Sequence, residues 1–244
     1  MDPNQPAPFG LMLLMDKPLE WTSFDVVNKL RYSAKHITGL KKIKVGHAGT
    51  LDPLASGLMI VCVGSFTKKI ESLMGLPKQY SGTFMLGSTT PSYDLETAVD
   101  ETFPLPKQDE GFLQSIGRQF VGTLEQIPPV YSAKKIDGQK AYNLARKGKE
   151  VNMKAAPIEI TRFEIKMDRF PEISFVLDCS KGTYVRSLVH DFGRAAGSGA
   201  HLTSLRRTKI GTFSIDDAYN IDEAIPIIKA AYDRHKEEHS EKPF

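Results

Sequence analysis

The sequence predicts a mixed α+β fold built around one large sheet, because strand-like and helix-like segments interleave without the regular alternation of stacked β-α-β units. Short apolar runs bounded by glycine or proline mark the strands, and four segments with apolar residues every three or four positions mark the helices. With 244 residues, 41% hydrophobic and 25% charged, the chain has ordinary globular composition and can bury a substantial core.

After a proline-rich start at Pro3, Pro6 and Pro8, the apolar residues 11–15 read as a buried strand that ends at Asp16-Lys17-Pro18, since proline has no N–H to give to a ladder. Ser23 is the expected N-cap of a helix whose stripe is Phe24, Val27, Leu30 and Ala34. Residues 58–63, between Gly57 and Gly64, and residues 80–86, between Pro77 and Gly87, are expected to be strands that pair in one sheet. Leu113, Ile116 and Phe120 predict a second helix over 109–120, and Pro128-Pro129 breaks the chain after it. Residues 157–165 and 172–179 are two further strands. Val185, Leu188, Val189 and Phe192 predict a helix with Arg186 beside its apolar stripe, and Ile221, Ala224, Ile225 and Ile228 predict the last one. Beyond it the charged residues 235–244 have too little apolar content to pack. The expected organisation is a flexible N-terminus over 1–10, one domain over 11–232 and a charged tail over 233–244.

Thirty-two basic against 29 acidic residues leave a formal charge of +3, an excess too mild to name a partner. Its distribution says more. Lys41, Lys42 and Lys44, then Lys68 and Lys69, then Arg206, Arg207 and Lys209 form three clusters that either track phosphates or are solvated faces. Cys62 and Cys179 lie in apolar runs and are expected to be buried thiols in a reducing cytosol. No set of histidines joins them at a metal-ligand spacing, so no metal is expected. The apolar run at 11–15 is far shorter than a bilayer span and lacks a signal-peptide pattern, so no membrane association is expected.

The most unusual segment is Gly46-His-Ala-Gly-Thr-Leu-Asp-Pro-Leu-Ala-Ser-Gly57, with three glycines, one proline and one carboxylate. Proline after Asp52 holds that residue extended or in a turn, and the glycines allow close backbone approach to a ligand. Such a loop presents its carboxylate in a cleft, or uses it to start a turn.

This run resembles the catalytic motif of the TruB family of tRNA pseudouridine synthases, Gly-His-x-Gly-x-Leu-Asp-Pro-Leu-Ala-x-Gly. The resemblance continues in the family's order through Asp16-Lys17-Pro18, Lys78-Gln-Tyr80, Pro129-Val-Tyr-Ser-Ala-Lys134, Cys179-Ser-Lys-Gly-Thr-Tyr-Val-Arg186, Gly199-Ala-His-Leu202 and Leu205-Arg-Arg207, over roughly residues 11–215. It implies a largely antiparallel sheet core with flanking helices. It also implies isomerisation of uridine 55 in the tRNA T-loop, by base flipping and without a cofactor. Asp52 would be the catalytic carboxylate, Tyr80 a stacking platform and Arg186 the partner of Asp52. His47, Lys17, Tyr184, Leu205 and Lys134 would contact or support the substrate.

Two departures stand out. The family's C-terminal RNA-binding PUA domain is expected to be missing, and Pro91 stands where an acidic residue is expected, which puts the hydrogen bonding after the Tyr80 strand in question while Asp94 still matches. The expected partner is the tRNA T-arm, bound by a cytoplasmic monomer that needs no protein partner. A tRNA-binding folding helper, a guide-RNA-dependent relative and a hydrolase using Asp52 are the competing readings; for the last, no second carboxylate accompanies Asp52 at a recognisable spacing.

Overall fold

The computed structural model describes residues 8–132, 135–136, 139–140 and 153–240. Along the chain come strand β1 (Gly10–Lys17), helix α1 (Ser23–Thr38), β2 (Val45–His47), β3 (Ala55–Gly64), a 3-10 turn leading into α2 (Ile70–Met74), β4 (Lys78–Leu86), β5 (Ser88–Thr89) and β6 (Glu101–Thr102). There follow α3 (Glu110–Gln119), β7 (Gly122–Gln126), β8 (Lys135–Ile136), β9 (Gln139–Lys140), β10 (Ala156–Arg169), β11 (Glu172–Cys179), α4 (Val185–Ala195), β12 (Ala200–Ile210), β13 (Phe213–Ser214) and α5 (Ile221–Ser240). These elements form two compact units, one of residues 1–76 with 206–244 and the other of residues 77–205.

In the first unit β3 pairs antiparallel with both β1 and β2, setting Leu13 opposite Val61 and Met15 opposite Met59. Alternation along the strands sends Leu13, Met15, Met59, Val61 and Val63 to one face, against Val26, Val27, Leu30 and Ala34 of α1 and Ala224 and Ile228 of α5. Leu58, Ile60 and Cys62 take the other face, with Ile210 and the partly buried Met12, Leu14 and Phe66. Both faces are covered, and that is why residues 58–63 read as a continuous apolar run.

Helix α1 starts one residue earlier than the sequence suggests. Thr22 is its N-cap: its hydroxyl accepts the Asp25 N–H at 3.1 Å, and the Thr22 N–H donates to the Asp25 carboxylate at 2.9 Å. Gly39, at φ 68°, ends the helix. Phe24, expected on the buried stripe, is 60% exposed, while Val27, Leu30 and Ala34 are buried as the spacing requires.

The charged segment expected to trail free after the last helix is helical up to Ser240. The Asn220 side chain accepts the Glu223 N–H at 3.0 Å, and Glu223 accepts the Asn220 N–H at 2.9 Å, a reciprocal cap. Tyr232 meets the Phe9 ring edge-on at 5.3 Å and donates its hydroxyl to the Thr38 carbonyl at 3.0 Å. Phe9 and Gly10, assigned from composition to the flexible start, belong to the core and to β1.

In the second unit β11 pairs antiparallel with β10 and β4, and β7 with β10. Strand β4 lies in the same sheet as residues 58–63 but is hydrogen-bonded to β11, with Tyr80 opposite Leu177, and to β12 rather than directly to them. Phe84, Phe163, Phe175 and Phe192 interlock at centroid separations between 5.1 and 6.1 Å, and α3 buries Leu113 and Ile116. Lys134 lies outside the described residues.

Replacing Thr22 by alanine removes the cap while leaving Ser23 and the core intact. Its urea midpoint is expected to fall by an amount worth about 1 kcal/mol at unchanged m-value, and an unchanged midpoint would mean that the capping box is not formed in solution.

Candidate active site

The segment with the lone carboxylate is a loop held by hydrogen bonds to its backbone. His47 ends β2, the Ala48 N–H donates to the Ile60 carbonyl at 2.9 Å, and the chain turns through Gly49 and Asp52 before the Ala55 N–H closes onto the Asp52 carbonyl at 3.1 Å. Ser23 in α1 satisfies both polar groups of Leu51, accepting its N–H at 2.8 Å and donating to its carbonyl at 3.0 Å. That is the role of the hydroxyl assigned from sequence to the helix cap. The Pro53 carbonyl accepts the Glu20 N–H at 2.8 Å and sits 3.5 Å from the Lys17 ammonium, which also donates to the Pro18 and Trp21 carbonyls.

Arg207 contributes the remaining anchor. It is 1% exposed, and its guanidinium donates to the carbonyls of Leu58 at 2.7 Å, Gly49 at 3.1 Å and Thr50 at 3.5 Å, spanning both arms of the loop. Gly57 lets the Arg207 backbone come close: at φ 104°, a Cβ there would lie 2.4 Å from the Arg207 carbonyl oxygen. Arg206 pairs through both guanidinium nitrogens with Asp16, at 2.7 and 3.0 Å. Of the basic cluster 206–209, read from sequence as either a phosphate track or a solvated face, one residue is thus buried and another paired, leaving Lys209 exposed. Against this frame Asp52 stays half-exposed.

Two cationic groups feel this environment. Burial pushes the Lys17 ammonium down to about 8, the Asp52 carboxylate opposes that shift, and Arg207 adds to it. Burial, then Arg207, lowers the His47 imidazole, and a backbone hydrogen bond at Gly49 works the other way. His47 is therefore neutral at physiological pH.

In the second unit Arg186, the second residue of α4, is 4% exposed rather than a surface group. Its Nε is 3.6 Å from the Asp94 carboxylate, also buried, and its Nη1 donates to the Ser92 carbonyl at 3.1 Å. The segment after the Tyr80 strand keeps dense hydrogen bonding despite Pro91. The Thr90 hydroxyl donates to the Asp94 carbonyl at 2.7 Å, the Ser92 N–H to Thr97 Oγ1 at 3.1 Å, and the Leu202 N–H to the Tyr93 carbonyl at 2.9 Å. Asp94 matched the motif pattern without a role, and its contact with Arg186 supplies one. Tyr184 leads into α4 with its N–H and carbonyl both held by the Gln126 amide, at 2.7 and 3.0 Å. Tyr80 is buried in β4, and Leu205 is half-buried in β12.

Asp52, His47 and Lys17 thus share the first unit, while Tyr80, Tyr184, Arg186 and Leu205 belong to the second. Among the described residues no group of three or more His, Cys, Asp or Glu is placed to hold a metal ion. Both cysteines are buried, and burial raises the Cys179 thiol to about 11, so it stays protonated.

Residues 35–185 match the TruB family pseudouridylate synthase N-terminal domain, and residues 186–242 match the tRNA pseudouridylate synthase B C-terminal domain. The chain belongs to the TruB family. It is 52% identical over 213 residues to the tRNA pseudouridine synthase B of Flavobacterium johnsoniae, covering 87% of this chain and 93% of that protein. It is 50% identical to the enzyme of the same name from Phocaeicola vulgatus, covering 87% and 91%. Among solved structures, a chain of a Cbf5-Nop10-Gar1 complex superposes with a TM-score of 0.66 at 27% identity, covering 89% of this chain and 54% of that one. The TruB member described here is accordingly an α+β pseudouridine synthase, an isomerase. Among its described residues no helix is long and apolar enough to cross a membrane.

Proximity of Lys17 to Asp52 has a measurable consequence. In side-chain NMR the Lys17 ammonium is expected to titrate near pH 8, well below the ordinary lysine value of 10.5. Asp52→Asn removes a charge that favours the ammonium, so it should move the titration lower still. An unmoved or raised titration in that variant would place Asp52 away from Lys17.

Proposed function

We propose that this chain isomerises uridine 55 in the T-loop of tRNA to pseudouridine, with Asp52 as the catalytic carboxylate and no cofactor. The observation that carries this reading is the loop geometry: the backbone around Asp52 is tied down by Ser23, Glu20, Lys17 and Arg207 while Asp52 itself is only partly buried. A carboxylate held this way needs little reorganisation to meet a substrate.

The reaction breaks the C1′–N1 bond, turns the uracil and joins C1′ to C5. N1 gains a proton and C5 loses one, so no external donor or oxidant is needed. One carboxylate suffices, either by attacking a carbon of the nucleotide or by removing a sugar proton to give a glycal-like intermediate. Arg186 supplies the positive charge that keeps Asp52 ionised, and Asp94 with the Ser92 carbonyl orients that guanidinium.

The target base must leave its stack, which costs a few kcal/mol, and stacking on Tyr80 returns about 1–3 kcal/mol. Leu205 lines the space for the uracil, and Tyr184 supports it. His47, neutral, presses against the substrate loop without adding charge, and Lys17 supports the catalytic loop. The names of the Flavobacterium and Phocaeicola relatives support tRNA as the substrate.

Asp52→Asn preserves shape while removing charge, so single-turnover isomerisation of tRNA is expected to fall at least ~10³-fold with RNA binding retained. Near-normal turnover would end the assignment of Asp52. Arg186→Met leaves Asp94 as an unpaired buried carboxylate, at a cost of about 3–5 kcal/mol in stability, and abolishes activity. Urea unfolding read beside single-turnover rates checks both effects, and full activity in this variant would remove Arg186 from the site.

A further inference from the structure

Away from the Asp52 loop, the first unit holds a cavity of about 770 Å³, bordered by the turn before β2, the turn after β3 and the outer half of α5. Lys42 and Lys44 line it from the first turn, Lys68 from the second and Lys236 from the helix. Two lysine clusters distant in sequence thus converge with a third source of charge. Lys42, Lys44 and Lys68 are exposed and make no salt bridge among the described residues, whereas Lys236 shares Asp233 with Lys229.

Aromatic rings stand within this cationic rim. Phe9 lies 5.6 Å from His235, whose ring is 4.3 Å from that of His239. His239 Nδ1 is 2.8 Å from the His235 carbonyl and donates to it, and the two imidazole planes are tilted by 40° to each other. Their spacing is a His-x-x-x-His pair, contrary to the expectation that the histidines form no such pair. That spacing suits a divalent cation, but four ammonium groups around the same cavity oppose one and favour an anion. Burial and His239 also lower His235, which keeps its ring neutral.

We propose that this cavity binds one unpaired nucleotide of an RNA, its phosphates against Lys42, Lys44 and Lys68 and its base against the partly exposed His239 ring, which His235 and the buried Phe9 back from behind. The volume is of the order that encloses a small ligand, roughly 300–1,000 Å³. A charged rim over stacking faces is how single strands are held without sequence preference. A duplex offers phosphates but no free base face to the rings. The inference rests on the reading of this chain as an RNA-binding enzyme and adds a contact separate from the Asp52 loop.

Full-length protein titrated into fluorescein-labelled single-stranded hexaadenylate tests it, because adenosine is no substrate for uridine isomerisation. The triple variant Lys42→Gln, Lys44→Gln, Lys68→Gln is expected to bind at least tenfold more weakly, with the slope of log affinity against log salt reduced by about 2. His239→Ala should weaken binding at unchanged slope. A control triple of exposed lysines elsewhere, Lys29→Gln, Lys35→Gln, Lys166→Gln, should leave both quantities as in wild type, and matching melting temperatures exclude unfolding. Equal losses in the control, or equal competition by a duplex of the same charge, would overturn the proposal. So would zinc chloride binding that displaces the oligonucleotide and disappears in the variant His235→Ala, His239→Ala. Hexaadenylate binding at the cavity in a protein that fails to isomerise tRNA would sink the proposed function and leave this site standing.

Discussion

A guanidinium taken out of water must find acceptors, and Arg207 finds them on two carbonyls of the Asp52 loop and on that of Leu58 in β3. Much of the candidate site follows from that requirement. The loop cannot open without stranding a buried charge, and Gly57 must lack a side chain because the Arg207 backbone passes too close for a Cβ. Burial lowers both His47 and Lys17, and the same charge adds to each shift, so Arg207 holds the loop geometry and contributes to the protonation around Asp52.

The second unit solves a similar problem differently. Arg186 is buried by the apolar stripe of α4, and there the compensation is a carboxylate, Asp94, with one carbonyl. The Ser92–Thr97 hydrogen bonds stiffen the loop that carries Asp94, so the orientation of Arg186 is inherited from local backbone structure. Buried pairs of this kind are weak sources of stability yet costly to break. Residues of this type in this arrangement serve charge placement for the proposed chemistry better than they serve folding.

Much of this was legible in the sequence where a local rule operates. Glycine and proline bounded the strands, and the three-to-four spacing located the helices, as with Val27, Leu30 and Ala34 of α1. Local patterns do not reveal partners far along the chain. Ser23 looked like a cap because Thr22 and Ser23 are equivalent as cap residues, and only the contact with Leu51, 28 positions away, separates them. Arg206 and Arg207 looked like a phosphate cluster because the acceptors lie about 150 to 190 positions earlier. Residues 235–244 looked too polar to pack, but the helix runs on to Ser240 and the ring of His235 lies 5.6 Å from that of Phe9. The role of Asp94 was likewise hidden, since its partner Arg186 comes 92 residues later. The placement of Asp52 in a glycine-rich loop and the family itself were readable, because a long motif in fixed order carries both.

The proposed function requires this chain alone to convert one uridine of tRNA. Unmodified tRNA transcript incubated with the purified protein, then mapped nucleotide by nucleotide for pseudouridine, tests it most directly. A single modified position, uridine 55, formed without added cofactor, guide RNA or partner protein, is the expected result. Pseudouridine absent from the transcript, or formed at other positions with uridine 55 untouched, would contradict it.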